Sequence, residues 1–206
     1  MSWRMASKGE QTRERILEAA QSTTLEKGFA GMTIDDILEA TALTKGAFFH
    51  HFKNKADLGR AVLERFAQND LDLFNDFSDR ADRLSDDPLE RVLIFLRLFE
   101  EYLDDLGTPY PGCIFASYTH EAKQFSEDVQ DYIEQSLDAW RGIYEAKFET
   151  LIEAHPPKIE VTARELAEMI LTINEGGFIL ANAKDDATWT QRQSREFRRY
   201  LTLLFS

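Results

Sequence analysis

The sequence predicts an all-α protein of about nine helices, with a three-helix N-terminal part followed by a larger helical body. Three observations predict it. Apolar residues recur at i, i+3, i+4, i+7 from one end of the chain to the other, with no convincing alternating strand. The 206 residues include only 10 Gly and 5 Pro, so breaks between elements are few. Hydrophobic residues make up 43% and charged residues 30%, the balance of a globular chain with no low-complexity tract or repeat. A chain of this length buries roughly 70% of the surface it exposes when unfolded.

Each helix has a local reason. Ile16, Ala19, Ala20 and Thr23 share one face of a first helix, about 11–27, and Gly28 is its stop signal. Thr33 caps a second helix, with Asp35 and Asp36 in the first turn where negative charge suits the dipole. Ile34, Ile37, Leu38 and Thr41 line its inner face, and it ends near Ala40. Thr44 caps a short third helix through Phe52, anchored by the i, i+4 pair Phe48 and Phe52. A long fourth helix, about 55–78, carries Leu58, Ala61, Val62, Phe66, Leu73 and Phe77. Asp86-Asp87-Pro88 starts the fifth, because Pro fits a first helical turn. Gly107-Thr108-Pro109-Tyr110-Pro111-Gly112 is the clearest loop. A sixth helix follows at about 113–123. Ser126 caps a seventh that runs to about 154, where Pro156 and Pro157 lie just beyond. Two more, about 160–182 and 188–205, close the chain.

The net charge of −13 is unevenly placed. Residues 1–65 hold ten Lys/Arg against nine Asp/Glu, whereas residues 66–206 hold fourteen against twenty-eight. A polyanion would be repelled by the body, so any nucleic-acid contact belongs to a local face of the first third. The two short helices joined by Ala42-Leu43-Thr44 have the spacing of a helix-turn-helix, whose second helix fits the DNA major groove. Thr33 and Thr44 stand at helix N-termini, where backbone N–H groups hold phosphates. Lys45 and Lys55 add positive charge, and the small Gly46 and Ala47 permit close approach to bases.

The run Thr33-Ile34-Asp35-Asp36-Ile37, followed by Leu43-Thr44-Lys45-Gly46-Ala47-Phe48-Phe49-His50-His51-Phe52-Lys53-Asn54-Lys55, resembles the DNA-binding signature of the tetracycline-repressor (TetR) family. The resemblance covers about residues 11–60. It implies an N-terminal helix-turn-helix DNA-binding domain at 1–54 and a C-terminal effector-binding and dimerisation domain at 55–206. Thr44, Lys45, Gly46 and Ala47 would then face bases and nearby backbone. Phe49, His50 and His51 would lie along phosphates, with Thr33 and Lys55 holding further ones. Arg4, Lys8 and Arg13 are candidates for an N-terminal arm. Two positions depart from the family pattern: Ala42 stands for the turn glycine, and Phe49 for a tyrosine.

Nineteen of the 24 aromatic residues lie after position 65. The family resemblance implies an effector pocket among them, lined by Phe66, Phe99, Tyr102, Phe115, Tyr118, Trp140, Tyr144, Asn174 and Phe178, with His120 a further polar anchor. No buried like-charge cluster is evident in the sequence, so an apolar or weakly polar effector is expected. Cys113, the single cysteine, opens a helix, where a thiol can have a lowered pKa. Gly112-Cys113-Ile114-Phe115-Ala116 is similar to the sixth-helix start of a subgroup of the family, some members of which sense electrophiles or oxidants through a cysteine while others bind small unsaturated acids, so Cys113 is a candidate sensor. The resemblance also implies a homodimer, with Ile170, Ile173, Gly177, Phe197, Leu201 and Leu204 at the interface.

The expected function is a one-component regulator, chiefly a repressor. It would bind a pseudo-palindromic double-stranded operator and be released by a small effector or by modification of Cys113. A membrane span is not expected, because no apolar run approaches about 18 residues. A lone cysteine and the lack of a signal-peptide pattern point to the cytoplasm. No phosphate-binding loop, dinucleotide fingerprint or nucleophile elbow is present, so no enzyme activity or cofactor is implied. His50, His51, His120 and His155 lack metal-site spacing. The alternative is an all-helical protein-interaction adaptor without sequence-specific DNA binding.

Overall fold

A computed structural model describes residues 7–121 and 125–206, apart from the side chain of His120. Arg4 lies outside the described residues, as does the His120 side chain. Among the described residues there are nine helices: α1 (Lys8–Gly31), α2 (Ile34–Thr41), α3 (Lys45–His51), α4 (Lys55–Leu84), α5 (Pro88–Asp105), α6 (Ile114–His120), α7 (Glu127–Ala154), α8 (Ala163–Lys184) and α9 (Trp189–Phe205). No described helix is long and apolar enough to cross a membrane.

Capping explains most of the boundaries. Ser7, Thr33 and Thr162 form capping boxes with Glu10, Asp36 and Glu165, satisfying orphan backbone donors in both directions. Asp87 caps α5, with Pro88 next to it. Gly28 breaks α1 with φ 74° and ψ 164°. The last turn beyond it ends at Gly31 rather than near residue 27, and the backbone N–H of Ala30 donates to Glu121 Oε2 at 2.6 Å. α4 continues to Leu84, past the expected end at 78, because Ala81 extends the apolar stripe into the core.

The chain divides into two compact units, Met1–Asn69 with Ile114–Ile133, and Asp70–Cys113 with Glu134–Ser206. This division differs from the functional one expected at 54/55. The first half of α4 packs with the N-terminal helices, and so do α6 and the start of α7.

The core of the first unit buries Ile16, Leu17, Ala20, Ile37, Phe48, Leu58 and Val62. Phe29, Tyr118 and Phe125 stack together there at centroid separations of 4.5–5.1 Å. Gly59 makes room for this stack, because a Cβ on it would meet the Phe29 ring at 2.5 Å. The core of the second unit is built from Phe77, Phe95, Leu96, Phe99, Tyr144, Phe148, Leu166, Ile170, Phe197 and Leu201.

Candidate functional site

The helix-turn-helix is made by capping and one strained residue. Ala42 follows α2 in the left-handed region, at φ 53° and ψ 37°. Its N–H donates to Glu39 O, and the Leu43 N–H reaches back to Leu38 O at 3.2 Å. That is the Schellman closure usually given to glycine, adopted here by an exposed alanine at a steric cost. Thr44 then starts α3, its hydroxyl accepting from the Ala47 N–H at 3.2 Å. Phe48 is fully buried and Phe52 nearly so, which pins the inner face of α3.

The outer face carries the residues expected to meet DNA. Thr44, Lys45, Gly46, Phe49 and His50 are exposed, and Ala47 and His51 are partly so. Phe49 is 50% exposed, with its ring edge-on to that of Phe48 at 5.3 Å. Lys45 pairs with Asp35 at 3.1 Å, both side chains largely in solvent, so little holds that pair together. His51 sits edge-on to His50, and its imidazole is pushed below its usual range, first by burial and then by the charges of His50 and Arg13. Arg13, expected in an N-terminal arm, lies over the Phe52 ring instead, and Lys8 is exposed in the first turn of α1.

Two expected phosphate ligands have partners within the chain. The Thr33 hydroxyl is engaged with Asp36 in the capping box. The Lys55 ammonium donates to Ala30 O at 3.1 Å and stacks over Phe29 at 4.6 Å, so it satisfies the carbonyl end of α1. Burial lowers its pKa, against the pull of Glu121 and Asp36.

The aromatic residues expected to line one pocket divide between the two units. Phe66, Phe115 and Tyr118 belong to the first, where Tyr118 donates to Gly59 O at 3.3 Å. Phe99, Tyr102, Trp140, Tyr144, Asn174 and Phe178 belong to the second. There Phe74 meets Phe95, Phe99 and Tyr144 edge-on, and Tyr110 packs on Phe178 at 4.6 Å.

The sequence reading named no buried like-charge cluster, and the structure brings two half-buried acids into play. Asp70 and Glu175 are both largely withdrawn from water and lie within electrostatic reach of each other. The Asp70 carboxyl is pushed up to about 7 by burial and by the Glu175 charge. Burial raises the Glu175 carboxyl, against a hydrogen bond with Cys113. Sequence reasoning missed both acids and Tyr110. The available signal was that Asp70 falls on the α4 stripe, four residues after Phe66 and seven before Phe77.

Of the residues expected at a dimer interface, Ile170, Phe197, Leu201 and Leu204 are already buried inside one chain. Gly177 faces inward too, because a Cβ there would meet Thr190 at 2.9 Å. Ile173 is partly exposed. It lines a shallow groove of about 310 Å³ with Thr172, Gly176, Leu180, Trp189 and Gln193, and Met169, Ile179 and Leu203 are exposed apolar residues on the same two helices.

Two family models match the chain. Residues 16–62 match that of bacterial regulatory proteins of the tetR family, and residues 88–196 that of the C-terminal domain of LmrA/YxaF-like transcriptional regulators. The chain belongs to the TetR family. Among curated TetR relatives, the transcriptional regulator AcuR of Cereibacter sphaeroides is 30% identical over 129 residues, 62% of this chain and 57% of that protein. The transcriptional repressor DhaR of Mycobacterium sp. is 27% identical over 128 residues, 62% of this chain and 61% of that protein. Each match therefore spans less than two thirds of the relative. A TetR-family regulator from Agrobacterium tumefaciens superposes with a TM-score of 0.80 at 20% identity, covering 96% of this chain and 100% of that one, a likeness of fold.

Proposed function

We propose that this TetR-family chain is a cytoplasmic one-component transcriptional repressor that binds a pseudo-palindromic operator as a homodimer and is released by a small-molecule effector. The observation that carries the reading is the face of α3. Phe48 and Phe52 pin the helix from inside, while Thr44, Lys45, Gly46 and Phe49 stand outward around a capped N-terminus. Such a helix, entering the major groove N-terminus first, reads base edges with its first residues. Phe49 has no hydroxyl for phosphate, so it packs on sugar or a thymine methyl. Lys45 exchanges its exposed Asp35 partner for a phosphate.

The exposed apolar residues of α8 and α9, with Gly176 open to approach, are the surface for a second copy. Two recognition helices then meet successive major grooves about 34 Å apart. α4 is one continuous helix that opens at Lys55 and carries Asp70, Phe74 and Phe77 further along, so it is the element through which an effector would act. A coupling of about 1–3 kcal/mol is typical of such regulators. Repression is favoured by relatives such as the transcriptional repressor DhaR. Cys113 is buried and hydrogen-bonds Glu175, which shields it from reagents, so release by an effector is preferred to release by thiol modification.

The test is selection of binding sites from a random duplex pool by the purified protein at a stated salt near physiological. The reading expects an enriched palindrome whose half-sites are one helical turn apart. No enrichment would overturn it in favour of a helical adaptor.

A further inference from the structure

The second unit treats its buried and half-buried carboxylates in two ways. Glu100 is only 4% exposed and is fully served: Arg198 Nε and Nη2 donate to its two oxygens at 2.8 and 2.9 Å, and Ser194 donates at 3.2 Å. Asp70 and Glu175 receive nothing comparable. Neither draws a favourable interaction from any described Lys, Arg or His, and the strongest charge acting on Asp70 is that of Glu175. The other groups facing them are Cys113, which hydrogen-bonds Glu175, and the phenols of Tyr102, Tyr110 and Tyr144, all of which feel the Asp70 charge or the Glu175 charge.

An independent observation lies next to Glu175. Asn174 is 6% exposed, and its amide nitrogen donates to Tyr144 Oη at 3.5 Å. Its carbonyl oxygen Oδ1 is buried without a partner. The Tyr144 phenol that Asn174 contacts also feels the Asp70 charge, so one neighbour links the unsatisfied carbonyl with the acids. Native interiors rarely leave buried acceptors unpaired, and the exceptions call for a functional reason. A buried carboxylate without a cation is costly in the same way. The shared deficit is one of positive charge and of N–H donors. Two of the tyrosines that feel these charges pack on phenylalanines, Tyr144 on Phe74 and Tyr110 on Phe178, and aromatic faces also attract cations.

We propose that Asp70, Glu175 and the Asn174 carbonyl form the recognition site for a cationic effector, a protonated amine carried on an apolar body. The inference rests on the reading of the helical domain as the effector's seat, and it names the effector's class. An anionic effector would be repelled by both carboxyls, and a neutral one would leave their charge unanswered. A single positive charge favours the ionised Asp70 carboxyl, which burial and the Glu175 charge otherwise oppose.

The experiment compares three matched compounds by isothermal titration of the full-length protein at pH 7.5: 4-phenylbutylamine, 4-phenylbutan-1-ol and 4-phenylbutyrate. The amine is expected to bind at least tenfold more tightly than the other two. Asp70→Asn and Glu175→Gln each remove a half-buried, unpaired charge, so both should fold, and each is expected to cut the preference for the amine below threefold. Lowering the pH to 5.5 should weaken amine binding by roughly tenfold or more, as protons compete for Asp70, and leave the alcohol unaffected. No amine binding, equal binding of the three, or a preference that survives Asp70→Asn would overturn the proposal. Fluorescence anisotropy on the selected operator separates the two readings. Selective amine binding that leaves the operator complex intact would keep the cation site and defeat its role as an effector site. Failure to bind any operator would defeat the regulator reading while the titrations still decide the site.

Discussion

Arg198 of α9 grips both carboxylate oxygens of Glu100 of α5, at 2.8 and 2.9 Å, in the interior of the second unit. Ser194, one turn earlier on α9, adds a third hydrogen bond at 3.2 Å. The arrangement aligns two helices by a planar fork that only arginine supplies. Arg198→Met should therefore cost about 3 kcal/mol in urea unfolding, because it strands a buried charge. Adding Glu100→Leu should recover most of that loss. A single variant with an unchanged midpoint would mean that Glu100 finds water or a proton instead.

Ala42 holds a left-handed conformation at an exposed turn position, with φ 53°. Ala42→Gly relieves the clash of Cβ with the backbone but loosens the unfolded chain. The net expectation is a gain of about 0.5–1 kcal/mol in thermal or chemical unfolding. A loss of stability would show that the alanine methyl contributes packing that outweighs its strain.

Asp70 makes stability depend on pH. Its carboxyl rises to about 7 in the fold, so the native state keeps a proton that the unfolded chain has already lost. Between about pH 4 and pH 7 the native state binds more protons, and stability falls as pH rises through that window. The effect is on the order of 2 kcal/mol once local relaxation is allowed for. Urea titrations at pH 5 and pH 8 should show the wild type losing more stability than Asp70→Asn across this interval. The comparison cancels the general self-repulsion of a chain of net charge −13. Parallel behaviour of the two proteins would place Asp70 in a wetter setting.

Lys45 and Asp35 face solvent on both sides of their 3.1 Å pair. Lys45→Ala should leave unfolding midpoints within about 0.5 kcal/mol of wild type. On a selected operator it should weaken binding and reduce the slope of log affinity against log salt by about one. A full loss of the slope would mean that the whole domain had moved. No change would remove Lys45 from the interface.

Gly59 sits under the Phe29 ring with no room for a methyl group, the nearest ring atom lying 2.5 Å from an ideal Cβ. Gly59→Ala should destabilise by about 1–3 kcal/mol and displace Phe29 from beneath the Lys55 ammonium. Near-UV circular dichroism would register the shift of the Phe29, Tyr118 and Phe125 stack. An unaltered spectrum with unaltered stability would contradict the tight fit.

The helices and their caps were legible because their causes are local. Thr33 with Asp36, Thr44 with the Ala47 N–H, and Pro88 after Asp87 act within one turn of chain. The turn at Ala42 was legible for the same reason, and so was the inner face of α3. The structure adds most where a residue's place depends on what another helix brings to it. Ile170, Phe197, Leu201 and Leu204 have the spacing of an interface and of a core alike, and packing between α5, α8 and α9 made them core. Lys55 reads as a phosphate ligand from its place in the motif, yet the end of α1 supplies a carbonyl for it first.

By itself, then, the sequence determined the all-α class, the order of the elements, the helix-turn-helix and its family, since periodicity, capping and turn chemistry are written in neighbouring residues. Tertiary structure alone decided which of the inner acids meet a cation. Asp70, Glu100 and Glu175 look alike in the sequence. Arg198 reaches Glu100 from 98 residues away, and no cation reaches the other two, because charge pairing in an interior depends on the three-dimensional meeting of helices.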